Sequence, residues 1–261
     1  MEIVILDSAE AVGAYAGASV AALIERTPDA VLGLATGSSP LGIYADLAAR
    51  AAAGADFSRV RGFALDEYVG IPVEHPESYA SVIRREVVEP LGLTPGNVRV
   101  PDGRADDLRE ACRDYEESIR ASGGVDLQIL GVGVNGHIGF NEPTSSFASR
   151  TRIKTLAPAT REANARFFAD ADEVPTHCVT QGLGTIMEAR EIVLVAQGES
   201  KAAAVAAIVE GPVSSMWPGS ILQHHPHVAV VLDEAAAADL RLGDYYRHTF
   251  RHKPAWQRIG V

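Results

Sequence analysis

The sequence predicts an α/β fold: a single doubly wound, mostly parallel sheet with helices on both faces, of the Rossmann-like kind. Two observations carry this expectation. Short apolar runs alternate with helical stretches almost throughout the chain, and that alternation builds parallel sheets buried on both sides. No linker, repeat or low-complexity segment divides the chain, so one domain over residues 1–261 is expected.

Taken in order, residues 2–6 read as a first strand. Ser8 is placed to cap an alanine-rich helix running to about Arg26. Residues 30–35 read as a buried strand, followed by the tight loop Thr36-Gly-Ser-Ser-Pro40. Pro40 suits the first turn of a helix over 41–53. A third strand over 60–65 ends at Asp66-Glu67-Tyr68, with a helix over 76–91 and a short strand over 97–101 behind it. Residues 106–121 form an amphipathic helix, and 125–132 a further buried strand. Residues 152–156 read as extended; 161–169 and 180–189 read as helical. A buried strand over 191–196 precedes a helix that Gly198-Glu-Ser-Lys201 opens and Gly211-Pro212 stops. The last clear strand is 228–232, then Asp233-Glu234 and an alanine helix. The alanine-rich stretches at 16–22, 48–53, 202–207 and 235–238 read as helix surface. The tail, 245–261, is aromatic and basic.

The composition narrows the function. A formal net charge of −11 argues against a nucleic-acid or anionic-membrane partner. Cys112 and Cys178 lie far apart with no metal spacing and read as reduced thiols. The start of the chain lacks the features of a signal peptide, and no apolar run reaches the ~18 residues that span a bilayer. A soluble cytoplasmic protein is expected, and Met1 stands directly before the first strand, which leaves no DNA-binding segment there.

Ligands in open α/β sheets bind beyond the carboxyl ends of the strands. That rule gathers four loops at one edge: Thr36–Ser39, Asp66–Tyr68, the glycine-rich stretch 131–143 and Gly198–Lys201. Gly131, Gly133 and Gly136 match a dinucleotide fingerprint, but no helix opens behind them and no carboxylate stands about 20 positions on. Small residues and hydroxyls at a helix start make Thr36–Ser39 an anion site, against the alternative of an ordinary capped helix. Lys201, in the first turn of its helix, stands against the helix dipole, as a cation meeting an anion would, against the alternative of a solvated surface lysine. A phosphate monoester suits both. Asp66 or Glu67 at a strand end can serve as a base with a raised pKa, or as a cap. His137 and Glu142 are a candidate base and orienting carboxylate. His-His-Pro-His at 224–227 does not have spacing that argues for a metal.

Five motifs in order, Leu34-Ala-Thr-Gly-Ser-Ser-Pro40, Leu65-Asp-Glu-Tyr-Val-Gly70, His75-Pro-Glu-Ser-Tyr79, residues 131–143 and Ser149-Arg-Thr-Arg-Ile-Lys154, resemble glucosamine-6-phosphate deaminases. The resemblance runs over about residues 1–245 and leaves the extreme tail unmatched. It implies conversion of glucosamine 6-phosphate and water to fructose 6-phosphate and ammonia in amino-sugar catabolism, formally a hydrolysis of the sugar's C–N bond, without cofactor or metal. It implies that His137 moves the proton that opens the pyranose ring, that Glu142 orients His137, and that Asp66 removes the C2 proton. Asn135 stands where some members have an aspartate in the same relay, so it can only hydrogen-bond. The phosphate would lie on Thr36, Gly37, Ser38, Ser39, Arg166 and Lys201. A homo-oligomer, a hexamer in the bacterial pattern, is implied. So is allosteric activation by N-acetylglucosamine 6-phosphate at Ser145, Ser146, Arg152 and Lys154. A mobile lid around 157–182 is expected, since Arg166 must reach the phosphate from outside the sheet.

Two rival readings are a 6-phosphogluconolactonase-like hydrolase and a non-catalytic sugar-phosphate sensor. In the lactonase the stretch after Gly-His should end in something like Ser-Leu-Phe-Pro, whereas here Gly-Phe-Asn-Glu142-Pro follows. A sensor should have lost Asp66 or His137, and both are present.

Overall fold

The computed structural model describes residues 1–254. The chain runs β1 (Glu2–Leu6), α1 (Ala9–Arg26), β2 (Val31–Leu34), α2 (Leu41–Ala52), β3 (Arg61–Ala64) and β4 (Asp66–Tyr68). Then come α3 (Tyr79–Ile83), a π-helical turn (Arg84–Val88), α4 (Glu89–Leu91), β5 (Val98–Arg99), α5 (Leu108–Ala121) and β6 (Leu127–Leu130). The second half holds β7 (Arg152–Thr155), α6 (Pro158–Ala165), β8 (His177–Thr180), α7 (Leu183–Ile186), β9 (Glu191–Ala196), α8 (Ala202–Val209), β10 (Val228–Asp233) and α9 (Gly243–Arg251).

Seven strands form the main sheet in the order β1-β10-β9-β6-β2-β3-β5, and every pairing in it is parallel. From β2 the chain proceeds to β3 and β5 on one side, then returns to lay β6 on the other. The carboxyl ends of β2 and β6 therefore flank the point where the winding reverses, and a crevice opens at such a point. Central strands are buried on both faces, as in Val31–Leu34 and Leu127–Leu130. This accounts for their largely apolar character; the exception in these two strands is the buried Gln128, whose side-chain amide donates to Ile129 O at 2.9 Å. Ser8 caps α1 as expected, its hydroxyl accepting from the Ala11 amide at 3.2 Å.

A second sheet, β4-β8-β7, is antiparallel and was not foreseen. Residues 66–68 do not simply end the third strand. The chain leaves the parallel sheet at Leu65, whose amide still bonds Leu34 O at 2.9 Å while its carbonyl accepts from the Gln181 amide at 2.8 Å. From there Asp66 pairs with Thr180. Residues 177–180 are accordingly a strand, and only Leu183–Ile186 of the helix expected over 180–189 forms. Val179 and Thr180 are β-branched and suit a strand, and pairing with β4 and β7 on both sides uses that preference. Under this sheet lies a separate apolar cluster of Tyr68, Ile71, Phe140, Leu156 and Cys178.

Two further expectations change. Residues 235–239 form turns, not an alanine helix, with Asp233 Oδ1 accepting from the Ala236 amide at 2.7 Å. The alanines of α1 are not all surface, for Ala16 and Ala21 are buried in the core. Within the tail, α9 is helical; residues 255–261 lie outside the described residues. His225 of the histidine cluster is buried, its Nε2 2.7 Å from Ala189 O, which is a structural bond. None of the described helices is long and apolar enough to cross a membrane.

The junction between the two sheets depends on Gly182. A methyl group there would lie 2.0 Å from the Ser149 carbonyl oxygen, a backbone atom with no freedom to yield. Gly182→Ala is expected to destabilise the fold by about 1–3 kcal/mol, as overpacking generally does, measured as a lower denaturation midpoint at unchanged m-value.

Candidate active site

The crevice at the carboxyl ends of β2 and β6 has a volume of about 770 Å³ and is lined by residues from all four loops. Its two ends differ in character. Thr36, Gly37, Ser38 and Ser39 stand at one end with Lys201 and Arg166. Asp66 and His137 line the other, with the Glu142 carboxylate directly behind His137.

At the cationic end, Thr36–Ser39 lines the crevice just before α2, whose start has no side-chain cap. Lys201 belongs to a short 3-10 turn (Glu199–Lys201) before α8, and its Nζ donates to Val132 O at 2.8 Å. The glycine-rich loop thus aims the lysine. Burial, and then the neighbouring Arg166, hold the Lys201 pKa below its ordinary value. Arg166, at the end of α6, lies over the Phe167 ring at 4.7 Å and reaches the Ser38 hydroxyl at 3.3 Å. The segment around α6 therefore spans the crevice from the far side.

At the other end the two adjacent carboxylates separate into different roles. Glu67 accepts from the Tyr68 and Tyr79 amides at 2.8 and 2.9 Å and from the Ala80 amide at 2.9 Å, and so caps the start of α3. Asp66 is 5% exposed and faces the crevice. Burial, then repulsion from Glu67, raise its pKa to about 8, against the opposing pull of the Phe140 amide and the Thr180 hydroxyl. A buried carboxylate poised near neutrality is suited to taking a proton from carbon.

Glu142 differs in the opposite sense. Burial alone would raise its pKa, but His137, Thr160 and Asn135 outweigh burial and hold it at about 2. Its Oε2 lies 3.7 Å from His137 Nδ1 and accepts from Asn135 Nδ2 at 2.8 Å. The 3.7 Å separation is an ion-pair distance, longer than a hydrogen bond. His137 Nδ1 is buried and has no hydrogen-bond partner, so Glu142 is the acceptor nearest to satisfying it. The glycines permit this arrangement. A side chain at Gly133 would strike the His137 ring at 2.2 Å, and Gly136 has φ +77° with Trp217 close beneath it.

Residues outside the expected set also line the crevice: Tyr79, Thr160, Asn164 and Gln197 among them. Tyr79 stood in a quoted motif without a role. Thr160 and Asn164 gave no signal, because α6 is distant in sequence and reaches the crevice only through tertiary packing. Of the four residues proposed for activator binding, Arg152 lines a separate groove beside α5, while Ser145, Ser146 and Lys154 line neither that groove nor the crevice. Among the described residues no group of three His, Cys, Asp or Glu side chains is placed to hold a metal ion.

The profile of the family described as glucosamine-6-phosphate isomerases/6-phosphogluconolactonase matches residues 7–231. The chain belongs to this family. Within it, a glucosamine-6-phosphate deaminase of Mycolicibacterium smegmatis is 60% identical over 261 residues, covering 99% of this chain and 100% of the relative. The one of Pseudarthrobacter chlorophenolicus is 59% identical over 259 residues, again 99% and 100% of the two chains. A solved structure of a monomeric glucosamine-6-phosphate deaminase superposes with a TM-score of 0.89 at 39% identity, covering 92% of this chain and 100% of the other. The 6-phosphogluconolactonase of Trypanosoma cruzi has a TM-score of 0.75 at 19% identity, over 92% and 97%. That branch of the family shares the fold at a distance.

Proposed function

We propose that this protein is a glucosamine-6-phosphate deaminase acting in amino-sugar catabolism in the cytoplasm. The observation that carries the reading is one crevice lined by the Thr36–Ser39 loop, Lys201 and Arg166 together with a buried Asp66 and with His137, the latter paired with Glu142. The deaminase relatives, near 60% identical over almost the whole chain, support it.

The phosphate of the substrate rests on the Thr36–Ser39 loop, Lys201 and Arg166, which fixes the distance from C6 to the reacting carbons. His137 transfers the proton between the ring oxygen and the C1 hydroxyl as the pyranose opens, and Glu142 holds the imidazole for both halves of that transfer. Asn135 orients Glu142 by hydrogen bonding. Asp66 then takes the proton from C2 of the open-chain aldose to give an enolamine. Protonation at C1 leaves an imine at C2, and water adds to the imine carbon. Collapse of that adduct breaks the C–N bond, releasing ammonia and the ketose phosphate. The net change joins an aldose–ketose isomerisation to hydrolysis of the C–N bond, which is the sense in which the enzyme is a hydrolase. No step calls for a metal or an organic cofactor. The reaction is tested by supplying glucosamine 6-phosphate and following ammonia and fructose 6-phosphate together. Absence of both products at every pH from about 6 to 9, which reaches both sides of the Asp66 value of about 8, overturns the reading.

Of the lid expected over 157–182, residues 177–180 are β8, paired on both sides in the second sheet, and do not belong to it; the lid of this single α/β domain is the part around α6, which carries Arg166 to Ser38. A homo-oligomer with activation by N-acetylglucosamine 6-phosphate at Ser145, Ser146, Arg152 and Lys154 is the reading the motif resemblance supports, although the similar solved deaminase is monomeric. Burial of Arg152 on β7, which lowers its pKa, is consistent with a site that an anion completes. Replacing Arg152 and Lys154 together by alanine is expected to abolish activation at near-normal maximal rate. Hyperbolic wild-type kinetics indifferent to that sugar phosphate would refute the allosteric site.

A further inference from the structure

The Glu142 carboxylate is held from two directions. Oε2 faces His137 and accepts from Asn135, both on the glycine-rich loop. Oε1 accepts from the Thr160 hydroxyl at 2.5 Å and from the Ala157 amide at 3.2 Å, both at the start of α6. Thr160 is 6% exposed, so water does not readily replace its hydroxyl. Ala157 precedes α6 and Arg166 follows it, so a single short helix carries a contact to Glu142 at one end and a contact to Ser38 at the other. Asn164 on the same helix donates to the Tyr68 hydroxyl at 3.2 Å, which fixes its seat on the second sheet.

We propose that Thr160 is a positioning residue for ring opening: its hydroxyl fixes the Glu142 carboxylate toward His137 only when the α6 segment is seated on the crevice. This rests on the deaminase reading. Without the Thr160 hydroxyl, Oε1 keeps only the longer bond from the Ala157 amide at 3.2 Å, a weaker hold that lets the carboxylate rotate and carry Oε2 away from an imidazole that has no other partner at Nδ1. With Thr160 in place the plane is set by donors on both oxygens. Phosphate contact through Arg166 and orientation of the proton-transfer pair then occur together, since one helix delivers both. The titratable groups around Glu142 are His137 on its own loop and Cys178 on β8, which also interacts with Asp66. Thr160 and Asn135 are neutral donors, so loss of Thr160 removes a bond without changing charge.

The test compares Thr160→Val, which keeps the shape and loses the hydroxyl, with Thr160→Ser, which keeps the hydroxyl. Thr160→Val is expected to lower kcat for glucosamine 6-phosphate by about tenfold with KM changed less than about threefold, the loss of one hydrogen bond to a charged group. Thr160→Ser is expected to recover kcat to within about twofold, and Thr160→Val added to Glu142→Gln to cost less than about twofold more, because the partner is already gone. Wild-type kcat in Thr160→Val, or an equal loss in the Glu142→Gln background, overturns the proposal. Carbon-13 titration of the Glu142 carboxyl gives a reading that needs no turnover. Its midpoint should rise in Thr160→Val and return in Thr160→Ser. If the wild type is inactive on glucosamine 6-phosphate, the functional reading fails, and the titration alone still decides whether Thr160 holds this carboxylate. An unmoved midpoint overturns that contact independently.

Discussion

Asp66→Asn abolishes exchange of the C2 proton and lowers turnover by roughly 10²–10⁴-fold, the usual worth of a positioned general base. The substitution keeps the volume and the hydrogen-bonding reach of the side chain, so binding of glucosamine 6-phosphate should change little. Solvent-deuterium incorporation at C2, followed by NMR, separates this outcome from a binding defect. Normal exchange in the variant would remove Asp66 from the mechanism. The pH dependence follows from the raised pKa. In the free enzyme Asp66 is mostly protonated below about 8 and becomes a competent base as pH rises through that value. The kcat/KM of the wild type should therefore climb through about pH 8 on its acid limb.

The same group has a stability consequence of opposite sense to an ordinary ion-paired aspartate. Its folded pKa lies above its unfolded value of 3.8, so the native state retains a proton that the unfolded chain has released. Wild-type stability is lost progressively as pH rises from about 4 to about 8. Asp66→Asn removes that loss, and its melting temperature relative to wild type should grow with pH over this window. The gain is on the order of a few kcal/mol at most. Glu142 behaves conversely. Held at about 2, it contributes stability above its unfolded value of 4.5 and loses it as pH falls through about 2.

The second large effect belongs to the cationic end. Lys201→Ala should reduce kcat/KM for glucosamine 6-phosphate by roughly 10–10²-fold, and the further change Arg166→Ala by a similar factor, as expected for charge-assisted bonds to a phosphate. The loss should fall mainly on KM. Glucosamine without its phosphate is the control: its slow turnover should be almost insensitive to both changes, so the preference for the phosphorylated sugar collapses. Equal losses on both sugars would mean that Lys201 acts through the glycine-rich loop, whose Val132 carbonyl it holds, and not on phosphate.

The parallel sheet was readable because its central strands are buried on both faces and spell short, largely apolar runs. The loops at their carboxyl ends followed from the same pattern, and chemistry-bearing residues concentrate there. The antiparallel sheet was not readable. Its strands are short, β7 is half exposed, and Asp66–Tyr68 follows β3 with one residue between. Nothing local distinguishes a strand that ends at Asp66 from one that changes sheets. Only the distant partner, residues 177–180, decides that, and a run of four residues is too short to announce a strand by periodicity.

The sequence by itself determined the fold class, the family, and the identity of the loops that meet at the crevice, because periodicity and motif are local properties of the chain. The tertiary structure decided what the side chains in those loops do. Of two adjacent carboxylates, it assigned Glu67 to the amides of α3 and left Asp66 desolvated in the crevice, a difference made by which neighbours each one meets. It also brought Thr160, from a helix with no motif of its own, against Glu142. Burial and partner geometry are set by contacts between segments far apart in sequence, and so are the proton affinities that depend on them.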